Sequence, residues 1–317
     1  MSESPDVSVV VAAHNRADRL TELLAGLRAQ ELPGKHFEVI VVDDGSADAT
    51  PEVLAAEQRR GALDLRFARQ EPAGGPARAR NRGWRMAKAP LIAFTDDDCV
   101  PTPGWLAALL AEAAGPDQIV QGRTLPRPDE AHLLDAFART VHIEGPTPHF
   151  ETCNILYGRS VLERIEGFDE TYPSPAGEDS DLGWRAREAG AEVGFAPEAV
   201  VHHAVFSRPP LKALRDALQA TDGVQAYKLN PSLRQHLVQG LFYDRSHPLL
   251  LQSALAAVIA RRSPAALLFC APYAMNIRAR LRAAGGPATA APWMVLFDAV
   301  QIAATVRGAV RHRYPVL

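Results

Sequence analysis

Cysteine is scarce and unpaired in this chain. Cys99, Cys153 and Cys270 lie far apart and form no CxxC pair, which excludes a disulfide framework and a structural zinc site and points to a reducing compartment. An excess of one charge is also missing: 34 Lys and Arg stand against 37 Asp and Glu, a formal net charge of -3, which argues against nucleic acid as a partner. Neither GxGxxG nor GxxxxGK[ST] occurs, so the simplest dinucleotide-binding and P-loop readings are removed. No uninterrupted apolar run reaches the roughly 18 residues that a membrane span requires. The polar opening, Met1, Ser2 and Glu3, leads within a few residues into a strand pattern rather than a leader. These absences predict a cytoplasmic protein. With 317 residues it has room for one large α/β domain or one domain with an accessory piece.

What is present is an alternation of β-branched runs with helical spacing. Residues 7–12 read as a strand, and Leu20, Leu23, Leu24 and Leu27 recur at helical intervals behind it. Residues 37–42 and 50–60 repeat that order, 63–68 predict a third strand, and an Arg-rich helix containing Arg78, Arg80, Arg82 and Arg85 follows Gly74 and Gly75. The run Leu91 to Phe94 predicts a fourth strand. Such strand-then-helix units imply right-handed crossovers and a mixed, mostly parallel sheet flanked by helices.

Carboxylates gather where these strands end. The fourth strand runs into Asp96, Asp97 and Asp98, with Pro101 and Pro103 blocking any immediate regular continuation. Ligands of open α/β sheets bind at the carboxyl ends of strands. Three adjacent acids repel one another, so a cation that takes hard oxygen ligands, Mg2+ or Mn2+, suits them; a solvated acidic turn is the plainer alternative. Asp43 and Asp44 end the second strand. Further on, a helix is expected at 105–114, a strand at 118–125, a helix at 133–141, a strand at 151–157 and two short strands at 193–196 and 199–205. The Pro/Gly-rich loop 173–177 leads into Glu178, Asp179 and Asp181 at the start of an amphipathic helix, where the backbone dipole is expected to hold carboxylate pKa values down.

From Pro209 the chain becomes Ala- and Leu-rich, with helical segments at 211–228, 248–260, 265–283 and 293–310 punctuated by arginines. Two roles stay open for this appendage: packing on the catalytic half or forming a homodimer, and in-plane attachment at the inner face of an anionic membrane.

Four stretches, Ala12-Ala13-His14-Asn15-Arg16, Asp43-Asp44-Gly45-Ser46, Ala79-Arg80-Asn81-Arg82-Gly83 and Thr95-Asp96-Asp97-Asp98, resemble the nucleotide-binding half of family 2 glycosyltransferases. Thr152-Cys153-Asn154, Gly167-Phe168-Asp169-Glu170 and Gly177-Glu178-Asp179-Ser180-Asp181-Leu182 resemble the acceptor half. The resemblance covers residues 7–205. It implies a GT-A domain over 1–207, divided into a nucleotide-sugar half (1–125) and an acceptor half (126–207), with 208–317 as a helical region. It also implies a nucleoside diphosphate sugar donor, a UDP-sugar by preference, a hydroxyl-bearing acceptor and inversion at the transferred carbon. By the same resemblance Asp98 would ligate Mn2+ or Mg2+, Asp96 and Asp97 would face the donor, and Asp96 would share the metal. His202, or failing that His203, would complete the metal site. Asp44, beside Ala12, His14 and Asn15, would hold the base, and Arg78, Arg80 and Asn154 would meet the base or phosphates. Asp179 would be the catalytic base with Glu178 as alternate, since inverting transfer needs a carboxylate to take the acceptor's proton.

Two departures matter. His14 stands where the family commonly has an aromatic that stacks on the base, and the QxxRW pattern of processive synthases is absent after Asp181, which favours addition of a single sugar. Two other readings compete. Asp96 to Val100 fits the DxDx[TV] pattern of haloacid dehalogenase phosphatases and phosphotransferases, with Asp96 as nucleophile, although that motif normally ends the first strand. A non-catalytic sugar-nucleotide-binding scaffold is the other.

Overall fold

The β-branched run at the N-terminus forms β1 (Val7–Ala13), and the leucine stripe forms α1 (Ala17–Arg28), whose Leu20, Leu23, Leu24 and Leu27 are all buried. Each such leucine contributes about 1.5–3 kcal/mol on transfer from water, an upper figure because unfolded chains already bury part of that surface. The order continues with β2 (Phe37–Asp43), α2 (Thr50–Arg60), β3 (Leu65–Arg69), α3 (Pro76–Met86), β4 (Leu91–Asp96) and the short β5 (Cys99–Pro101). Next come α4 (Trp105–Glu112), β6 (Gln118–Pro126), β7 (Asn154–Gly158), α5 (Arg159–Arg164), α6 (Glu178–Glu188) and β8 (Glu192–His203). The structure, a computed structural model, describes residues 4–172 and 174–317; Met1 to Glu3 and Pro173 of the loop read from sequence lie outside the described residues.

Eight strands form one sheet in the order β3-β2-β1-β4-β7-β6-β8-β5. The first four are parallel neighbours, β7 runs antiparallel to β4 and β6, and β6 and β8 are parallel, giving the mixed sheet expected. The register Ala12↔Asp96 and Ala13↔Asp43 brings the acid-bearing ends of β2 and β4 to either side of the end of β1. The two short strands expected at 193–196 and 199–205 are one strand, β8, whose pairing with β6 slips between Gly122 and Arg123. The helix expected at 133–141 does not form: Asp135 accepts a hydrogen bond from the Phe137 backbone N–H (2.7 Å), a local turn that competes with helix.

Contacts divide the chain into two compact units, Met1–Pro128 with Thr140–Ala204, and Asp129–Arg139 with Val205–Leu317. The boundary expected near 207 is therefore crossed by residues 129–139, which cluster with the helical unit. That unit holds α7 (Pro210–Ala217), α8 (Ala220–Leu229), α9 (Ser246–Ile259), a 3-10 segment (Pro264–Cys270), α10 (Ala271–Ala283) and α11 (Ala291–His312). The helix expected at 211–228 is broken at Leu218 and Gln219, whose N–H groups bond back three residues. The helix expected at 265–283 is divided ahead of Pro272, which cannot donate to the preceding turn. Phe137, Ala213, Tyr273, Ile277, Leu281 and Met294 form the core of this unit. The segment expected at 293–310 is α11. With its lead-in, residues Ala288–His312 are long and apolar enough to cross a membrane by length and composition, despite Asp298, Gln301 and Thr305 within them.

Candidate active site

Because β4 lies beside β1, the turn after β1 faces the three acids. The His14 backbone N–H donates to Asp97 Oδ2 (3.0 Å), and Arg16 Nη1 pairs with Asp97 Oδ1 (2.8 Å) and with Asp98. Burial pushes the Asp97 carboxyl up to about 7 against the pull of Arg16, with repulsion from Asp98 and Asp96 adding to the rise. On the other side of Asp98, the antiparallel pairing of β5 with β8 sets Cys99 opposite His203 and Val100 opposite His202. Side chains alternate along a strand, so His203, not His202, lies beside Asp98, its Nε2 3.5 Å from Asp98 Oδ1. Of the two histidines considered from sequence, it is therefore His203 that stands beside Asp98.

Asp98, Cys99 and His203 present ligand atoms within 4.8 Å of one another, all three buried. His203 Nδ1 bonds to the Ala204 carbonyl (2.7 Å). With the proton there, the Nε2 lone pair faces the Asp98 carboxylate, and two acceptors turned toward each other suit a cation between them, in the manner of metal-binding histidines. Burial raises the Cys99 thiol well above its ordinary value, so it stays protonated and is a poor ligand. The donor pair that fits Mn2+ or Mg2+ is therefore the Asp98 oxygens with His203 Nε2, and the imidazole favours Mn2+.

Arg80, on α3, joins the strand end to the start of α6. Its Nη2 donates to Asp96 Oδ1 (2.8 Å), and its Nη1 lies 3.3 Å from Glu178 Oε1 and 3.4 Å from Asp179 Oδ1. Burial works against the Arg80 charge, but Asp179, Asp96 and Glu178 raise its pKa. The same burial works against Asp96, yet Arg80, helped by Arg16, holds it below the usual carboxylate range. Glu178 and Asp179 behave in the opposite way to the helix-dipole expectation. Burial, reinforced by Asp179, pushes Glu178 up to about 8, and burial also raises Asp179 despite Arg80 and Thr152. Desolvation outweighs the dipole because a helix end offers only part of a charge. Thr152 aims Asp179 by donating its N–H and its hydroxyl to Oδ2, each at 3.0 Å.

The other residues singled out from sequence divide. Asp44 is buried and accepts from Gln70 Nε2 (2.5 Å) and from the N–H groups of Gly74 (2.6 Å) and Gly75 (2.8 Å). It anchors loop 70–75 with three of its roughly four acceptor positions. His14 donates from Nδ1 to the Asp44 carbonyl (2.7 Å), and Asn15, at φ 53°, accepts from Ala47 N–H (2.7 Å). Ala12 is half-buried at the same strand end, and Arg78 is exposed. Asn154 is a correction. It is 1% exposed, donating to the Arg123 and Ala199 carbonyls and accepting from Trp105 Nε1, so its amide is consumed in the core and is not turned to a donor. The roles of Arg16 and Thr152 and the bridging by Arg80 were not assigned from sequence, although all three residues lie within the quoted motifs.

Residues 8–165 match the family profile described as Glycosyl transferase family 2. The chain is 31% identical over 234 residues to the validoxylamine A glucosyltransferase of Streptomyces hygroscopicus subsp. jinggangensis, covering 62% of this chain and 55% of that protein. It is 32% identical over 269 residues to the succinoglycan biosynthesis protein ExoO of Rhizobium meliloti, covering 77% of this chain and 72% of that one. Among solved structures, the mannosyltransferase PcManGT from Pyrobaculum calidifontis, in complex with GDP-Man and Mn2+, matches with a TM-score of 0.70 at 23% identity, over 97% of this chain and 88% of that chain. That likeness bears on the fold, which is GT-A. The chain spans about half the length of several curated relatives that it matches.

Proposed function

The chain belongs to glycosyl transferase family 2, and on that premise we propose that it is a glycosyltransferase that moves a single sugar from a nucleoside diphosphate donor, a UDP-sugar by preference, to a hydroxyl acceptor with inversion. Asp96, already paired with Arg80, is poorly placed as the nucleophile of the phosphotransferase reading, and the scaffold reading predicts donor binding without turnover. The observation that supports the proposal most is the Arg80 bridge, which makes the strand-end acids and the helix-start acids one site.

Within that site Asp179 is the base. Thr152 fixes Oδ2, so Oδ1 is the oxygen that takes the acceptor's proton, and the raised pKa makes it a stronger base than an exposed aspartate. Glu178, pushed up to about 8, stays protonated at neutral pH, which keeps a second negative charge away from Asp179. Asp98 and His203 would hold the metal ion, which supplies charge neutralisation of the leaving diphosphate. Arg80 keeps Asp96 ionised and orients it toward the donor side.

Calorimetric titration with UDP and GDP, with and without Mn2+, tests the assignment. Binding should strengthen with Mn2+ in the parent protein and lose that dependence in Asp98→Ala. Equal binding with and without metal in both proteins would refute the metal site.

A further inference from the structure

In the helical unit, residues 245–297 contain six arginines and no aspartate, glutamate or lysine. The same stretch carries a concentration of large apolar side chains in water: Leu255 is 61% exposed, Val258 60%, Leu268 76% and Phe269 63%. On α9, Leu251, Leu255, Val258 and Ile259 recur at i, i+4, i+7 and i+8, so they share one face. The 3-10 segment bearing Leu267, Leu268 and Phe269 is fastened to that helix by Gln252 Nε2 donating to the Phe269 carbonyl (2.9 Å). Arg261 and Arg262, both exposed, stand between the two elements in sequence. Leaving this much apolar surface in water is costly, and patches of this kind mark interaction sites.

We propose that this α9 and 3-10 surface seats the protein in the interface of an anionic lipid bilayer. Leu255, Val258, Leu268 and Phe269 would enter the headgroup and acyl boundary, while Arg261 and Arg262 meet lipid phosphates. Charge complementarity decides for this occupant: a second copy would bring another surface rich in arginine and free of acids against the first, whereas an anionic leaflet attracts both. A cavity of about 560 Å3 in the same unit, lined by Tyr273, Ile277, Leu281 and Val295 with Arg278 and Arg282, offers apolar volume beside cationic groups, as a lipid requires.

Flotation of the full chain with vesicles of phosphatidylcholine alone or mixed with phosphatidylglycerol tests the proposal. The protein should float with the anionic vesicles, and less as salt is raised. Leu268→Glu with Phe269→Glu should weaken partitioning at least about a hundredfold, and each of Arg261→Gln and Arg262→Gln about fivefold. Both positions are exposed, and an unchanged melting temperature would confirm that the variants fold. Failure to float with any vesicle, or flotation indifferent to these substitutions, would overturn the proposal. So would sedimentation showing a dimer that the Leu268 and Phe269 variant dissociates without lipid, since a second copy would then be the occupant.

Discussion

Arg80 places one positive charge between Asp96 and the Glu178-Asp179 pair, which lie more than eighty residues apart in sequence. Removing it leaves Asp96 and Asp179 to repel one another in a poorly solvated site. Arg80→Met should therefore cost about 3–5 kcal/mol in urea denaturation, as expected when one partner of a buried charge cluster is lost; an unchanged midpoint would mean the cluster is solvated. Glu178 gives a pH signature. Its folded value of about 8 lies above the ordinary 4.5, so the folded state binds the proton more tightly than the unfolded state. That contribution to stability is fully present below about pH 4.5 and is lost as pH rises through about 8, on the order of a few kcal/mol. Thermal melts across this window should fall more steeply for the parent than for Glu178→Gln, and parallel curves would refute the buried protonated state. The acids were legible from sequence because carboxylates end strands and begin a helix there. Their cations were not, because Arg16 and Arg80 meet them only through the neighbouring of β1, β4 and α3 in space.

At the scale of elements, α3 explains why its Arg-Asn-Arg-Gly sequence stands where it does. Asn81 is buried and works as a staple: it donates to the Phe168 carbonyl (2.9 Å) and to Glu170 Oε1 (2.8 Å), and accepts from Phe168 N–H and Trp84 Nε1, both at 2.9 Å. Gly83 lies so close to β1 that a Cβ would stand 2.5 Å from Val10 Cγ1. Asn81→Ala should lower stability by about 2–4 kcal/mol, because it strands buried donors and acceptors of the 167–170 loop, and Gly83→Ala by about 1–3 kcal/mol through overpacking; thermal melts measure both, and wild-type values would contradict the packing described. The Gly-Phe-Asp-Glu stretch thus reads as the docking partner of α3. Strands and helices with strong periodicity were legible from sequence, whereas the turn at Asp135 and the continuity of β8 depended on side-chain capping and strand pairing that periodicity does not encode.

At the scale of the molecule, the family and the GT-A sheet followed from seven short motifs in order, several of which lie at strand ends, as at Asp43 and Asp96, or at a helix start, as at Glu178. The helical unit was less legible. Asp298, fully buried in α11, accepts from Tyr273 Oη and Arg280 Nη1, each at 2.8 Å, so an apolar-looking helix carries a polar lock that no periodicity announces. The central claim is that the two halves of the GT-A unit form one transfer site with Asp179 as its base. Single-turnover transfer by Asp179→Asn, set beside its donor affinity, tests it most directly once a panel of nucleotide sugars has identified a donor. The account predicts unchanged donor affinity with transfer reduced by about 10^2–10^4-fold; transfer at the parent rate would contradict it.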